Sequence, residues 1–367
     1  MTADFKDIVP YDPARILQAI EELKTDAVFH KGVQYFYPDW SVDLIRDKLD
    51  TCRSCADFQI EFIEKIIKNS IEQTMDRFTI EGIENLYPGH CLILSNHRDI
   101  FLDAALLQNH LYDLGKPFTE ISLGDNLMVN PTLRNVAKLN NMFTVFREGS
   151  TREKLRNSVH LSHYLRYAIT EKKVSAWLAH RNGRTKDGND RTSPGLIKML
   201  LLSGGNDVRQ SLEDLNIVIS TISYEYEPCA FVKAEELRWE NQETPTEQKG
   251  KDDIRSIISG IKSYKGNVSL VFETLNLDAL SFTNNRKTDV LTIAKAIDEV
   301  IYRNYKIFKT SYMAYDLLHQ ENNYTEFYSP EDLSGFKQYL SEADDQDLYM
   351  RVLHMYANPL LNKLKVS

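Results

Sequence analysis

The sequence predicts an α/β fold: a largely parallel, mixed sheet flanked by helices, with a helical N-terminal region and a helical C-terminal tail. Three observations carry this expectation. Between residues 78 and 275, short apolar or β-branched runs alternate with amphipathic segments, the pattern of strands joined by crossover helices. One run, Ile217-Val218-Ile219-Ser220-Thr221-Ile222-Ser223-Tyr224, is nearly uninterrupted, as a strand buried on both faces should be. On both flanks the apolar residues recur at helical spacing instead. The chain therefore divides into a helical region, 1–77, an α/β region, 78–280, and a helical tail packed on it, 281–367.

The elements follow in order. Asp12-Pro13 reads as a cap and a proline at the first helical position, opening a helix to Leu23. Ser41 to Leu49 and Ala56 to Met75 are the next helices, the second with a broad stripe of Phe58, Phe62, Ile63, Ile66 and Ile67. Between the first two, the aromatic run Val33 to Pro38 reads as irregular. Phe78 to Ile83 alternates as a strand, and Tyr87-Pro88-Gly89 turns into the next, Leu92 to Leu94. Further strands are expected at Pro117–Leu123, Met142–Phe146, Val174–Ala179 and Val268–Phe272. Helices are expected at Asp103–Leu114, Leu127–Leu139 and 151–172, and in the tail at Asp289–Leu318 and Pro330–Leu364. Arg238 to Asp253 is polar and reads as an exposed excursion.

Composition narrows the function. A net charge of −9 argues against general nucleic-acid binding, which leaves a basic footprint. No apolar run approaches the roughly 20 residues that span a bilayer. Met1 to Pro10 has no apolar signal core, which points to the cytoplasm. Four cysteines make no disulfide framework, and Cys52-x-x-Cys55 has no second pair to complete a zinc site. His160 and His163, one helical turn apart, are two ligands short of a metal site, and no metal is assigned.

The chemistry-bearing stretch begins after the Leu92 strand, at Asn96-His97-Arg98-Asp99-Ile100-Phe101-Leu102-Asp103. Asp103 stands among Leu102, Ala104 and Ala105, where a carboxylate is costly unless paired. His97 with a carboxylate on the following helix makes a general base and its orienter. The same pattern equally suits a helix capped by Asp99 with two incidental polar residues. A second candidate is the segment 181–195, with three glycines and four basic side chains, suited to a phosphate or to plain solvent.

Four blocks now stand in order at strand ends: Asn96-His97-Arg98 with Asp103; Phe146-Arg147-Glu148-Gly149; Gly183-Arg184-Thr185-Lys186-Asp187-Gly188; and Ile217 to Glu227. Over residues 78–280 this resembles the glycerolipid acyltransferase superfamily, which includes the glycerol-3-phosphate and 1-acylglycerol-3-phosphate O-acyltransferases. The resemblance implies that His97 removes a proton from a substrate hydroxyl and that the hydroxyl oxygen attacks the thioester of acyl-CoA or acyl carrier protein. It implies no further cofactor. Asp103, or Asp99 as runner-up, would orient the imidazole. Arg147, Arg184 and Lys186 would bind the acceptor's phosphate, with Asn182, Gly183 and Gly188 shaping the loop. The partners so implied are the thioester donor, a glycerol phosphate or lysophospholipid acceptor, and an inner membrane surface contacted peripherally.

Two departures from the family pattern stand out. His97 and Asp103 have five intervening residues rather than four, and one extra residue turns a helical side chain by about 100°. Asn182 stands where the family has a glutamate, and Arg184 comes one place early. These leave two alternatives: an acyltransferase for a non-phosphate, amino-acid-derived acceptor, or a lipid-binding member of the fold that has lost catalysis.

Overall fold

The computed structural model of the 367-residue chain describes residues 5–87, 89–128, 130–238, 246–283 and 285–366. Its strands are β1 (Met75–Glu81), β2 (Leu92–Ser95), β3 (Glu120–Gly124), β4 (Met142–Val145), β5 (Ala176–Ala179), β6 (Ile217–Tyr224) and β7 (Gly266–Thr274). They form one sheet in the order β1-β7-β6-β2-β5-β3-β4. The five strands from β6 to β4 are mutually parallel; β7 pairs antiparallel with β6, and β1 runs parallel to β7. The expected class, a largely parallel mixed sheet with helices on both faces, is what the chain adopts.

Burial follows from strand chemistry. All eight residues of β6 and all four of β2 are buried, as their apolar runs require. Alternation along β2 sends Leu92 and Leu94 to one face and Ile93 to the other. The first face is covered by helices Thr151–Tyr167, Pro194–Leu200 and Arg286–Asn304, so the start of the C-terminal tail belongs to the main core. The second is covered by helices Leu102–Asp113 and Lys65–Thr74. A separate aromatic core joins the N-terminal helices to Leu139, and another joins helices Ala230–Arg238, Lys309–His319, Pro330–Leu340 and Gln346–Lys363.

Several elements differ from expectation. Val33 to Phe36 is the end of a helix, Ala27–Phe36, because Asp26 caps it through the amides of Val28 and Phe29. Phe29 and Val33 then share its buried face with Tyr37 just beyond. Within the polar stretch 238–253, residues 239–245 lie outside the described residues, but Thr246–Lys262 is a helix rather than an excursion. Its polar first half hid an apolar later half, where Ile261 is buried. The tail segment 289–318 is two helices, parted at Tyr305–Phe308, because Tyr305 turns inward to a buried carboxylate. The expected helix Ala56–Met75 carries a π-turn at Gln59–Glu64, a feature often found beside functional sites.

Because β2 to β6 run in one direction, their following segments converge at a single edge of the sheet. His97, Asn126, Arg147, Arg184 and Glu227 all lie just beyond C-terminal strand ends, where open α/β sheets place their ligands.

Candidate active site

Helix Leu102–Asp113 begins where it does because Asp99 Oδ1 accepts the amides of Phe101 and Leu102, at 2.9 and 2.7 Å. Asp99 thus ties down the turn that leads into the helix, with its Oδ1 committed to those two amides. Asp103 lies in the first turn and reaches back over the loop. Its Oδ2 is 2.9 Å from His97 Nδ1 and accepts the amides of Arg98 (2.6 Å) and Asp99 (2.9 Å). Its Oδ1 accepts the Tyr224 hydroxyl, at 2.9 Å. The extra residue between His97 and Asp103 is absorbed by this turn, which the carboxylate itself ties together.

The arrangement settles which nitrogen is free. Asp103 is fully committed as an acceptor, so His97 donates Nδ1–H to it and leaves Nε2 as the acceptor. Burial, and then the charges of Asp103 and Asp99, hold the Tyr224 phenol well above its ordinary range, so Tyr224 remains a donor. Trp177 packs edge-on against the imidazole, ring centroids 5.6 Å apart. Burial and the neighbouring Asp103 charge raise the Asp99 carboxyl, whose Oδ2 has no partner among the described residues and sits against Gly260.

The histidine opens on a cavity of about 230 Å³. One wall is helix Leu102–Asp113, presenting Phe101, Ala104, Ala105, Gln108 and Tyr112 at helical spacing. The span from Phe101 to Tyr112 is roughly 16 Å at the α-helical rise. Ile63, Ile67, Phe118, Ile121 and Met142 complete an apolar lining, and Tyr112 stacks with Phe118 at its far end. The strand-end side of the cavity is charged: Arg147, Arg184, Lys186, Glu236 and Asp253 line it with Gly183.

The three expected phosphate ligands are therefore gathered beside His97. Arg147 Nε and Arg184 Nη1 are buried without a partner among the described residues. Burial pushes the Arg147 guanidinium below its ordinary value, against the pull of Asp125 and Asp253. Arg184 and Lys186 both reach Glu236, at 2.8 and 3.3 Å.

The loop is held differently from expectation. Asn182 is exposed and Gly183 faces open space at φ +76°. The fastening comes from residues the sequence reading passed over. Thr185 donates its amide to the His97 carbonyl, at 2.7 Å, and its hydroxyl bonds to Asp190. Asp190 is fully buried and also takes Asn96 Nδ2 (3.0 Å), Arg98 Nη1 (3.2 Å) and the Tyr305 hydroxyl (2.6 Å). Arg98 extends this network to Glu227, and Glu227 to Lys233. Burial works against the Arg98 charge, but Glu227 and Asp190 outweigh it and hold the guanidinium above its ordinary value. From the far side, helix Gln346–Lys363 clamps the loop: Asn358 Nδ2 donates to Asp187 O, at 2.7 Å, and Asn362 Nδ2 to Asn189, at 3.0 Å. Gly188 (φ +73°) packs so closely on the Met355 carbonyl that a Cβ would lie 2.0 Å from the oxygen.

His160 serves elsewhere, bonding Asp7 at 2.9 Å and stacking on Phe5. No helix among the described residues is long and apolar enough to cross a membrane.

No protein-family model matches the chain. No curated protein sequence matches it either. Among solved structures, it is distantly similar to the 1-acyl-sn-glycerophosphate acyltransferase PlsC from Thermotoga maritima, at 13% identity and a TM-score of 0.36, over 77% of this chain and 95% of that one. A likeness this slight carries no argument, and the chemistry must be judged on the site's own geometry.

Proposed function

We propose that this protein is an acyltransferase, moving a fatty acyl group from acyl-CoA or acyl carrier protein to a hydroxyl of a glycerolipid-type acceptor that carries an anionic group. The observation that carries the proposal is the His97–Asp103 pair, oriented with Nε2 free, between an apolar recess and a cluster of cations.

The acyl chain lies along the apolar wall of helix Leu102–Asp113, and the acceptor's anionic group meets Arg147 and Arg184. His97 Nε2 takes the proton of the acceptor hydroxyl as its oxygen attacks the thioester carbonyl carbon. The tetrahedral intermediate collapses with cleavage of the C–S bond. The departing thiolate recovers the proton from His97, leaving an ester and a free thiol. Asp103 keeps the imidazole in the required tautomer and supports its transient positive charge. No nucleophilic side chain is required, and the cysteines are unsuited to that part: burial lifts the Cys91 thiol to about 11.

The pairing also weighs against a member of the fold that has lost catalysis, since a purely binding protein has no need of a carboxylate-oriented histidine at the cavity mouth. Assay of the purified chain with both donors and several acceptors tests the proposal. His97→Ala is expected to lower kcat roughly a thousandfold, in the range for a lost general base. Equal turnover by the variant and the parent would remove His97 from the chemistry.

A further inference from the structure

We infer that the acceptor carries an ammonium group beside its anionic group, an inference that rests on the acyl-transfer proposal for the same site. The charged side of the cavity is mixed rather than basic. Glu236, on helix Ala230–Arg238, spans both loop cations, with Oε1 2.8 Å from Arg184 Nη2 and Oε2 3.3 Å from Lys186 Nζ. Asp253, on helix Thr246–Lys262, lines the same side, and its charge acts on Arg147. Glu64 lines the cavity as well, so among the described residues three cations share it with three carboxylates.

A phosphate monoester brings a charge of about −1.5 to −2 at neutral pH and would meet those carboxylates at close range. An acceptor of that kind is better served by cations without carboxylates among them. Yet Arg147 Nε and Arg184 Nη1, buried without a partner among the described residues, still call for an anion. Both demands are met by a headgroup holding an anion and a cation a few atoms apart. The anion takes the two free guanidinium donors, and the ammonium takes the carboxylates. Glu236 is suited to this: its side chain is 27% exposed, so its oxygens can be reached from the cavity without leaving Arg184.

Three acceptors of matched acyl chain separate the possibilities: 1-acylglycerol 3-phosphate, 1-acylglycerophosphoglycerol and 1-acylglycerophosphoethanolamine. The first carries a phosphate monoester, the second a phosphodiester alone, and the third a phosphodiester with an ammonium. The full chain is expected to show its highest kcat/KM on the third. Glu236→Gln is expected to raise KM for that acceptor roughly tenfold. It should lower KM for 1-acylglycerol 3-phosphate, because Arg184 and Lys186 are released. Asp253→Asn should shift the two acceptors in the same directions.

A preference for 1-acylglycerol 3-phosphate in the parent would overturn the inference while leaving acyl transfer intact. So would a KM rise shared equally by all three acceptors in Glu236→Gln, the result if that residue only holds Arg184 in place. Calorimetry with glycerophosphoethanolamine and glycerol 3-phosphate, on the parent and on Glu236→Gln, decides the charge question without turnover. Tighter binding of glycerol 3-phosphate by the parent counts against it. Absence of turnover on every acceptor would instead strike the acyl-transfer proposal.

Discussion

Replacing Asp103 by asparagine would keep the side chain's shape but put an N–H donor where an acceptor now stands. Because Oδ2 takes two backbone amides as well as His97, the carboxamide oxygen stays there and its NH₂ turns to the Tyr224 hydroxyl, which can accept. The imidazole keeps its tautomer but loses the negative charge that supports its transient positive one. Asp103→Asn is therefore expected to lower kcat by about 10²- to 10⁴-fold with KM little changed. A kcat within about threefold of the parent, in a variant with parental circular dichroism, would show that the carboxylate charge does not matter. The same replacement at Asp99 changes only the oxygen without a partner among the described residues and keeps the one that holds the amides of Phe101 and Leu102. Asp103 thus joins the loop amides, Tyr224 and His97 in one group.

At the scale of elements, the basic glycine loop is not self-supporting. It rests on the buried Asp190 cluster from below and on helix Gln346–Lys363 from the side. Gly188 is where loop and helix meet, in a left-handed backbone conformation that also lacks room for a side chain. Gly188→Ala is expected to cost about 3 kcal/mol, combining backbone strain with the displacement of a packed helix. Chemical denaturation measures the loss. Because the loop carries Arg184, acceptor KM should rise in parallel, whereas a fully parental stability would mean the helix yields freely. The last helix, for which the sequence suggested packing and no more, thus acts as the outer support of the candidate binding loop.

The whole molecule is built around buried charge as well as apolar surface. His180 is fully enclosed between the sheet and the loop, with Nδ1 3.2 Å from the Thr192 hydroxyl. Burial pushes its imidazole down to about 4, from an ordinary value of 6.5, although Asp190 pulls the other way. The folded state therefore binds fewer protons than the unfolded state between those values. Stability is complete above pH 6.5 and falls as the pH drops toward 4, by about 3 kcal/mol. Asp190 is held below its ordinary value by Arg98 and His180 against the effect of burial, so its contribution is present above pH 3.8 and is lost at still lower pH. His180→Gln is expected to flatten the fall between pH 6.5 and 4 in denaturant titrations. Parallel curves for the two proteins would exclude His180 as its source.

The sequence by itself determined the sheet and the position of the histidine. The runs at Leu92–Leu94, Ala176–Ala179 and Ile217–Tyr224 are too apolar to lie anywhere but the middle of a covered sheet. The polar residues after them must then gather at its edge, because parallel strands end on the same side. Local pattern also marked Asp103, since a carboxylate inside an apolar helix face demands a partner. It could not say which neighbour answers, because a loop of five residues can close in several ways and only the amides of Arg98 and Asp99 fix one of them. Residues distant in sequence lay further out of reach. Asp253 closes the polar stretch 238–253 that reads as an exposed excursion, Glu236 stands just before it, and Asp190 lies within a loop where an aspartate is unremarkable. Their roles depend on charges delivered from other strands, and an ion pair leaves no periodic trace in the chain that forms it. Tertiary structure alone decided that the cations expected to hold a phosphate share their cavity with carboxylates, Glu236 and Asp253 among them.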